Sequence, residues 1–105
     1  HLRDVVRKQV ILVFAVMKDK NIRAMARRLF PRARTVILTM VPDKRSALPE
    51  TILAAAPEFR ARIRLVPDVA DAVRLALKES AGRVPIAIAG SLFLVGEVKR
   101  LRLFR

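Results

Sequence analysis

Val10-Ile11-Leu12-Val13-Phe14-Ala15-Val16, running directly into Met17-Lys18-Asp19-Lys20-Asn21, is the stretch whose reading decides the fold. An unbroken apolar run rich in β-branched side chains, ending abruptly in charge, describes a strand covered on both faces. Strands of that kind belong to parallel sheets flanked by helices, whereas a half-solvated antiparallel strand would alternate apolar with polar. Directly after the run, Ile22, Met25, Ala26 and Leu29 recur at i, i+3, i+4 and i+7, the apolar stripe of a helix. Asn21 suits its N-cap and Pro31 closes it.

Working outward, the same alternation repeats. Thr35 to Thr39 reads as a second strand, and Met40 to Leu48 as a loop punctuated by Pro42, Asp43 and Ser46. Pro49 suits the first position of a short helix ending at Ala56, before Pro57. Ile63 to Val66 is a third strand. Asp68 caps a helix whose stripe is Val69, Ala72, Val73, Ala76 and Leu77, and Gly82 stops it. Pro85 to Ala89 is a fourth strand, Gly90 a turn, and Ser91 the N-cap of a last helix reaching about Phe104, with Leu94, Val98 and Leu101 facing inward. Strand and helix alternating over short connections predict an α/β fold, a Rossmann-like, mostly parallel sheet flanked by helices. Leu2 to Lys8 has the composition of a helix tail placed just before the first strand. The expectation is therefore a fold lacking its first strand–helix unit, and residues 1–105 as an N-terminally truncated piece of a larger protein.

The composition bounds the chemistry. At 105 residues, 53% hydrophobic and 30% charged, the chain suits one domain with a packed core. Its longest apolar run, Val10 to Met17, is too short to span a bilayer, and nothing near His1 has the pattern of a signal peptide. A cytoplasmic domain with no membrane partner is expected. Without cysteine there is no disulfide, thiolate nucleophile or cysteine-ligated zinc, and one histidine leaves little for a metal site. The formal net charge is +13, and arginine supplies 16 of the 22 basic residues. That balance points to an anionic partner or to a solvated basic surface. The basic residues are scattered, and the five phenylalanines are not interleaved with them as a base-stacking platform requires. A free-standing module binding nucleic acid is thus the alternative and not the leading reading.

In open α/β sheets ligands sit beyond the carboxyl ends of the strands. Three predicted loops lie there, Met17 to Asn21, Met40 to Leu48 and Gly90 to Ser91, bringing Lys18, Asp19, Lys20, Arg45 and Ser91 to one edge. Lys20 offers a point charge, Arg45 a bidentate fork, and the Gly90-Ser91 turn a hydroxyl with helix N–H groups, a set suited to a carboxylate or phosphate. Ordinary readings stand beside these: Ser91 as a plain cap, Asp19 as a cap or a solvent-exposed partner of a neighbouring lysine, Arg45 as an exposed turn residue. Neither G-x-x-x-x-G-K-[ST] nor G-x-G-x-x-G occurs, Ser91 has no histidine partner, and no carboxylate pair suggests acid–base chemistry. The chain by itself reads as an anion-binding domain without a reaction centre.

Three segments carry a resemblance. Val13-Phe14-Ala15-Val16-Met17-Lys18-Asp19-Lys20-Asn21-Ile22 resembles the strand-and-loop motif of the C-terminal domain of folylpolyglutamate and dihydrofolate synthases, relatives of the Mur ligases. Gly90-Ser91-Leu92-Phe93-Leu94-Val95-Gly96-Glu97-Val98 is similar to that domain's closing motif, and Arg45-Ser46-Ala47-Leu48 to its arginine loop. The resemblance implies an ATP-dependent ligase that activates a carboxylate as an acyl phosphate and joins it to the amino group of glutamate. It also implies ATP and magnesium held mainly by an N-terminal ATPase domain of the same chain, with folate or dihydropteroate as acceptor. By the same resemblance Lys20 and Ser91 contact a glutamate carboxylate, while Asp19 and Arg45 lie near the nucleotide or the domain interface. The domain supplies no catalytic residue of its own and no metal ligand. Asn21 stands where the family has Asp, and the family's Asp-Gly-Ala-His-Asn segment is absent from the chain. A cell-wall Mur ligase domain would share the fold, and the Gly-Ser-Leu-Phe closing motif speaks against it.

Overall fold

A computed structural model describes residues 10–103; the expected helix tail at Leu2 to Lys8 and the expected end of the last helix at Phe104 lie outside that range. Four strands form one sheet, β1 (Val10–Phe14), β2 (Ala33–Leu38), β3 (Ile63–Leu65) and β4 (Ile86–Ala89), in the order β3-β2-β1-β4. Every pairing is parallel. Four helices connect or follow them: α1 (Ile22–Leu29), α2 (Pro49–Ala55), α3 (Val69–Ser80) and α4 (Leu92–Arg100). Short 3₁₀ turns, Phe30–Arg32 and Pro57–Arg62, lead into β2 and β3.

The period of two along β1 sorts the core into two layers. Leu12, Phe14 and Val16 face one side with Ala26 of α1 and Ile52 of α2; Ile11, Val13 and Ala15 face the other with Val69, Val73 and Ala76 of α3 and Leu94 and Val98 of α4. Ile11, Val13, Phe14, Ala15 and Val16 are completely buried, as a strand read as apolar on both faces must be. The chain steps from β1 outward to β2 and β3, then crosses back to β4 on the far side of β1. That reversal carries α3 and α4 to the opposite face, because crossovers between parallel strands keep one hand. It also opens the gap between the β1 and β4 loops that this architecture offers to ligands.

Local signals behave as the physics of caps requires. The Asn21 side chain accepts the Ala24 N–H at 3.0 Å, and Asp68 accepts the Asp71 N–H at 3.0 Å. Three expectations shift. Helix α3 ends on Ala81 in the left-handed region (φ 50°), with Gly82 following at φ 72°, so the stop lies one residue earlier than the glycine. Leu77 lies on the rim of the stripe, 43% exposed, and the inward position one turn later is taken by Ser80, whose hydroxyl donates to the Val84 carbonyl at 2.6 Å. Helix α4 ends at Arg100, where Leu101 to Leu103 fold back and the Leu103 N–H reaches the Val98 carbonyl.

Gly90 fixes the junction of β4 with β1. Its φ is +104°, and a Cβ built there would overlap the Ala15 carbonyl oxygen and come within 2.8 Å of the Phe14 ring. Gly96, on the exposed side of α4, has nothing within 4 Å. Gly90→Ala is expected to destabilise the fold by at least about 2 kcal/mol through strain and overlap, whereas Gly96→Ala should stabilise it by about 0.5–1 kcal/mol through helix propensity. Urea unfolding of both variants checks the pair of signs.

Candidate functional site

The carboxyl ends of the strands are held together before any ligand is considered. The Ala47 N–H donates to the Val16 carbonyl and the Lys18 N–H to the Arg45 carbonyl, both at 2.8 Å, and Met17 pairs antiparallel with Ser46. The β2 loop is pinned from below: the Val41 N–H donates to the Ser46 hydroxyl at 3.2 Å, and the Thr39 hydroxyl donates to the Pro67 carbonyl at 2.8 Å. Thr39 and Ser46 are buried, so these bonds satisfy polar groups that would otherwise destabilise the edge.

Across this braced edge lies a cleft of about 510 Å³ lined by Met17, Lys18, Asp19, Lys20, Lys44, Arg45 and Phe93. Lys18, Asp19 and Lys20 come from the β1 loop, Lys44 and Arg45 from the β2 loop, and Phe93 from the first turn of α4. A second cleft of about 440 Å³ adjoins it, sharing Lys18 and Lys44 and opening towards Met40, Leu48 and Thr51. The structure thus brings Asp19, Lys20 and Arg45 together. Ser91 stands outside the lining; its hydroxyl accepts the Phe93 N–H at 3.1 Å and caps α4. Lys44 and Phe93 join the cleft unforeseen. The signal for Lys44 was its place beside Arg45 in a loop already chosen, and Phe93 is presented by the cap that Ser91 makes.

Arg45 is built into a three-part arrangement. Asp43 accepts the Arg45 backbone N–H at 2.8 Å, its Nε–H at 3.1 Å and its Nη2–H at 2.9 Å. The guanidinium then lies over the Phe93 ring, 5.3 Å from its centre. The fork expected to be open for a ligand is therefore closed by a neighbour. The Arg45 side chain holds the Asp43 carboxyl down at about 2, and Asp43 with the more distant Asp19 holds Arg45 above its usual range. Because the pair is solvent-exposed, its value lies in orientation more than in stability. What remains available is the other edge of the guanidinium, beside three lysines, with one carboxylate, Asp19, among them. Such a site favours a carboxylate or phosphate. Among the described residues no three His, Cys, Asp or Glu side chains assemble as a metal site.

Comparison with known proteins bears on the family and the fold. Residues 1–92 match the family described as Mur ligase, glutamate ligase domain. Folylpolyglutamate synthase of Mycobacterium tuberculosis, solved with ADP and AMPPCP, superimposes with a TM-score of 0.81 at 25% identity, over 93% of this chain and 24% of that one. The bifunctional folylpolyglutamate synthase/dihydrofolate synthase of Yersinia pestis, solved with AMPPNP and Mn, gives 0.79 at 21% identity, over 95% of this chain and 23% of that one; it supports the fold. The chain spans about a quarter of the length of these solved relatives. No curated protein matches it in sequence.

Asp43 has a folded-state pKa below its unfolded one, so the stability it contributes is complete above the unfolded value of 3.8 and is lost as pH falls towards about 2. Asp43→Asn should flatten the loss of stability across that window and leave the slope above it unchanged, at a somewhat lower stability than the wild type. Chemical denaturation at stepped pH reads the difference.

Proposed function

The chain belongs to the glutamate ligase domain family of the Mur ligases, and from that premise we propose that it is the C-terminal domain of an ATP-dependent ligase that adds glutamate to a folate-type acceptor. The observation that carries this reading is the cleft at the carboxyl edge, where Lys18, Lys20, Lys44 and Arg45 converge with Phe93. In this reading the cleft serves two anions, the incoming glutamate and the phosphates of ATP, and an ATPase domain preceding residues 1–105 in the same chain supplies the rest of the active site. That the solved relatives are about four times longer supports this division of labour.

The residues present dictate the roles. Lys20, on the rim of the β1 loop, balances a glutamate carboxylate, a contact that holds the amino group in place for attack on an activated acceptor carboxylate. Ser91 acts on the same glutamate at one remove: its cap fixes the start of α4 and with it Phe93. Arg45, clamped by Asp43 and stacked on Phe93, presents a fixed positive edge to the nucleotide or to the facing domain, with Asp19 tuning the local charge. ATP supplies the phosphoryl group that activates the acceptor. Mg²⁺ would be held with the nucleotide mainly by the preceding ATPase domain. The acceptor, a reduced folate or dihydropteroate, lies beyond the residues named here. In this reading the enzyme acts on free metabolites in the cytoplasm; among the described residues no helix is long and apolar enough to cross a membrane.

The test is steady-state ligation in the enzyme that carries this chain. Lys20→Ala should raise the KM for glutamate at least about tenfold with kcat little changed, the effect of losing a charged hydrogen bond. An unchanged KM overturns the role given to Lys20, and no ATP-dependent glutamate addition to any folate overturns the function. Ser91→Ala should cost about 1 kcal/mol of stability as a lost cap, with a smaller rise in KM than Lys20→Ala produces. Thermal melting beside the kinetics separates the two contributions.

A further inference from the structure

The opposite, amino-terminal edge of the sheet carries a second concentration of charge that the cleft does not use. Arg32 and Arg34 bracket the start of β2, Arg60 and Arg62 lie in the 3₁₀ turn entering β3, and Arg64 sits on β3. Arg62 ties these pieces together. It donates through Nη1 to the Phe30 carbonyl at 3.3 Å and the Ala33 carbonyl at 3.0 Å, and it lies 5.6 Å from the centre of the Phe59 ring. Between the strands it leaves a groove of about 360 Å³ into which Arg34, Arg62 and Arg64 all reach.

Among the described residues none of these five arginines makes an ion pair; the pairs formed use Arg23, Arg45, Arg74 and Arg100. Glu58, the acid nearest in sequence, is engaged by Arg23. Arg32, Arg34, Arg60 and Arg64 are exposed. Like charges gathered without an ion-pair partner among the described residues raise the local potential and attract a polyanion. The chemistry of the patch selects which one. A protein partner calls for an apolar centre, yet among the described residues the exposed large apolar side chains are Leu48, Leu77, Leu92 and Phe93, on other parts of the surface, and Leu65 at the end of β3. The guanidinium fork matches phosphate oxygens. Phe59 is partly buried, with Arg62 over its ring and Phe30 packed against it at 5.6 Å, and so is poorly placed to stack a base, which favours a duplex backbone over single strands.

We propose that the arginine-lined amino edge, built from Arg32, Arg34, Arg60, Arg62 and Arg64, is a docking surface for the phosphodiester backbone of duplex nucleic acid. It is independent of the ligase reading, since it lies at the other end of the strands. It binds without sequence preference, and its affinity depends steeply on salt.

The experiment measures fluorescence anisotropy of labelled duplex DNA and duplex RNA with this chain, titrated between about 50 and 200 mM salt. Arg34→Glu/Arg64→Glu should weaken binding at least about tenfold and make the log–log salt slope shallower by roughly two contacts. Lys78→Glu/Lys99→Glu, the same charge change on α3 and α4, should shift affinity by no more than about twofold if the patch and not total charge is responsible. Equal losses from both variants overturn the proposal, as does tighter binding to phosphatidylserine vesicles than to either duplex at the same salt, or no duplex binding at all. Whichever duplex binds more tightly identifies the natural source of the backbone. Arg34→Gln/Arg64→Gln, checked by circular dichroism and melting temperature, should give an intermediate loss without loss of fold; full affinity in that variant also overturns it.

Discussion

Everything in the domain depends on β1 being enclosed on all sides. Its two faces are covered by helices and its two edges by β2 and β4, so Ile11, Val13 and Phe14 have no exposure to water. Burial of this kind is the dominant favourable contribution to folding. It also imposes a condition on the backbone, because each peptide group of a strand without solvent must find a partner in a neighbouring strand. The parallel ladders to β2 and β4 meet that condition. Helices on both faces are then the only way to cover what the ladders leave open. Gly90 belongs to the same constraint, since the tight approach of the β4 loop to the Ala15 carbonyl leaves no room for a side chain.

The architecture was legible because its strongest determinants are local and repeat. The run Val10 to Val16, the stripe Ile22-Met25-Ala26-Leu29 and the caps Asn21 and Asp68 each have one sensible reading, and the structure has an all-parallel sheet flanked by helices. Boundaries were less legible. The apolar run continues past Phe14, but the ladder ends there because Val16 bonds to Ala47 of the β2 loop instead of a strand. The end of α3 at Ala81 depends on how the chain must turn to bring Val84 back onto Ser80, a tertiary demand that outweighs the usual preference for glycine in the left-handed region. Leu77 was misplaced for a related reason: a stripe read at 100° per residue has a rim, and only packing decides which rim position is covered.

For the cleft, sequence delivered the loops but not the arrangement within them. That ligands of such sheets sit beyond the strand ends brought Lys20 and Arg45 to one place. It could not say that Asp43 closes the arginine fork, because an i, i+2 ion pair forms only when the turn, here held by the Asp43 carbonyl and the Ser46 N–H, aligns the two side chains. Nor could it say that capping by Ser91 would present Phe93 to the cleft in place of its own hydroxyl. Sequence reasoning sees a residue's chemistry; the fold decides which atom of the neighbourhood is shown.

The two edges of the sheet lead very different lives. The β3 edge is short and carries Arg64, a charge that resists lateral addition of another strand. The β4 edge presents Ile86-Ala87-Ile88-Ala89, half-buried and without charge or proline, and among the described residues it pairs only with β1. A ribbon of that composition is a template for pairing with any extended chain that meets it. With a formal net charge of +13, copies of the chain repel one another, and salt that screens this repulsion lowers the barrier to pairing along that edge.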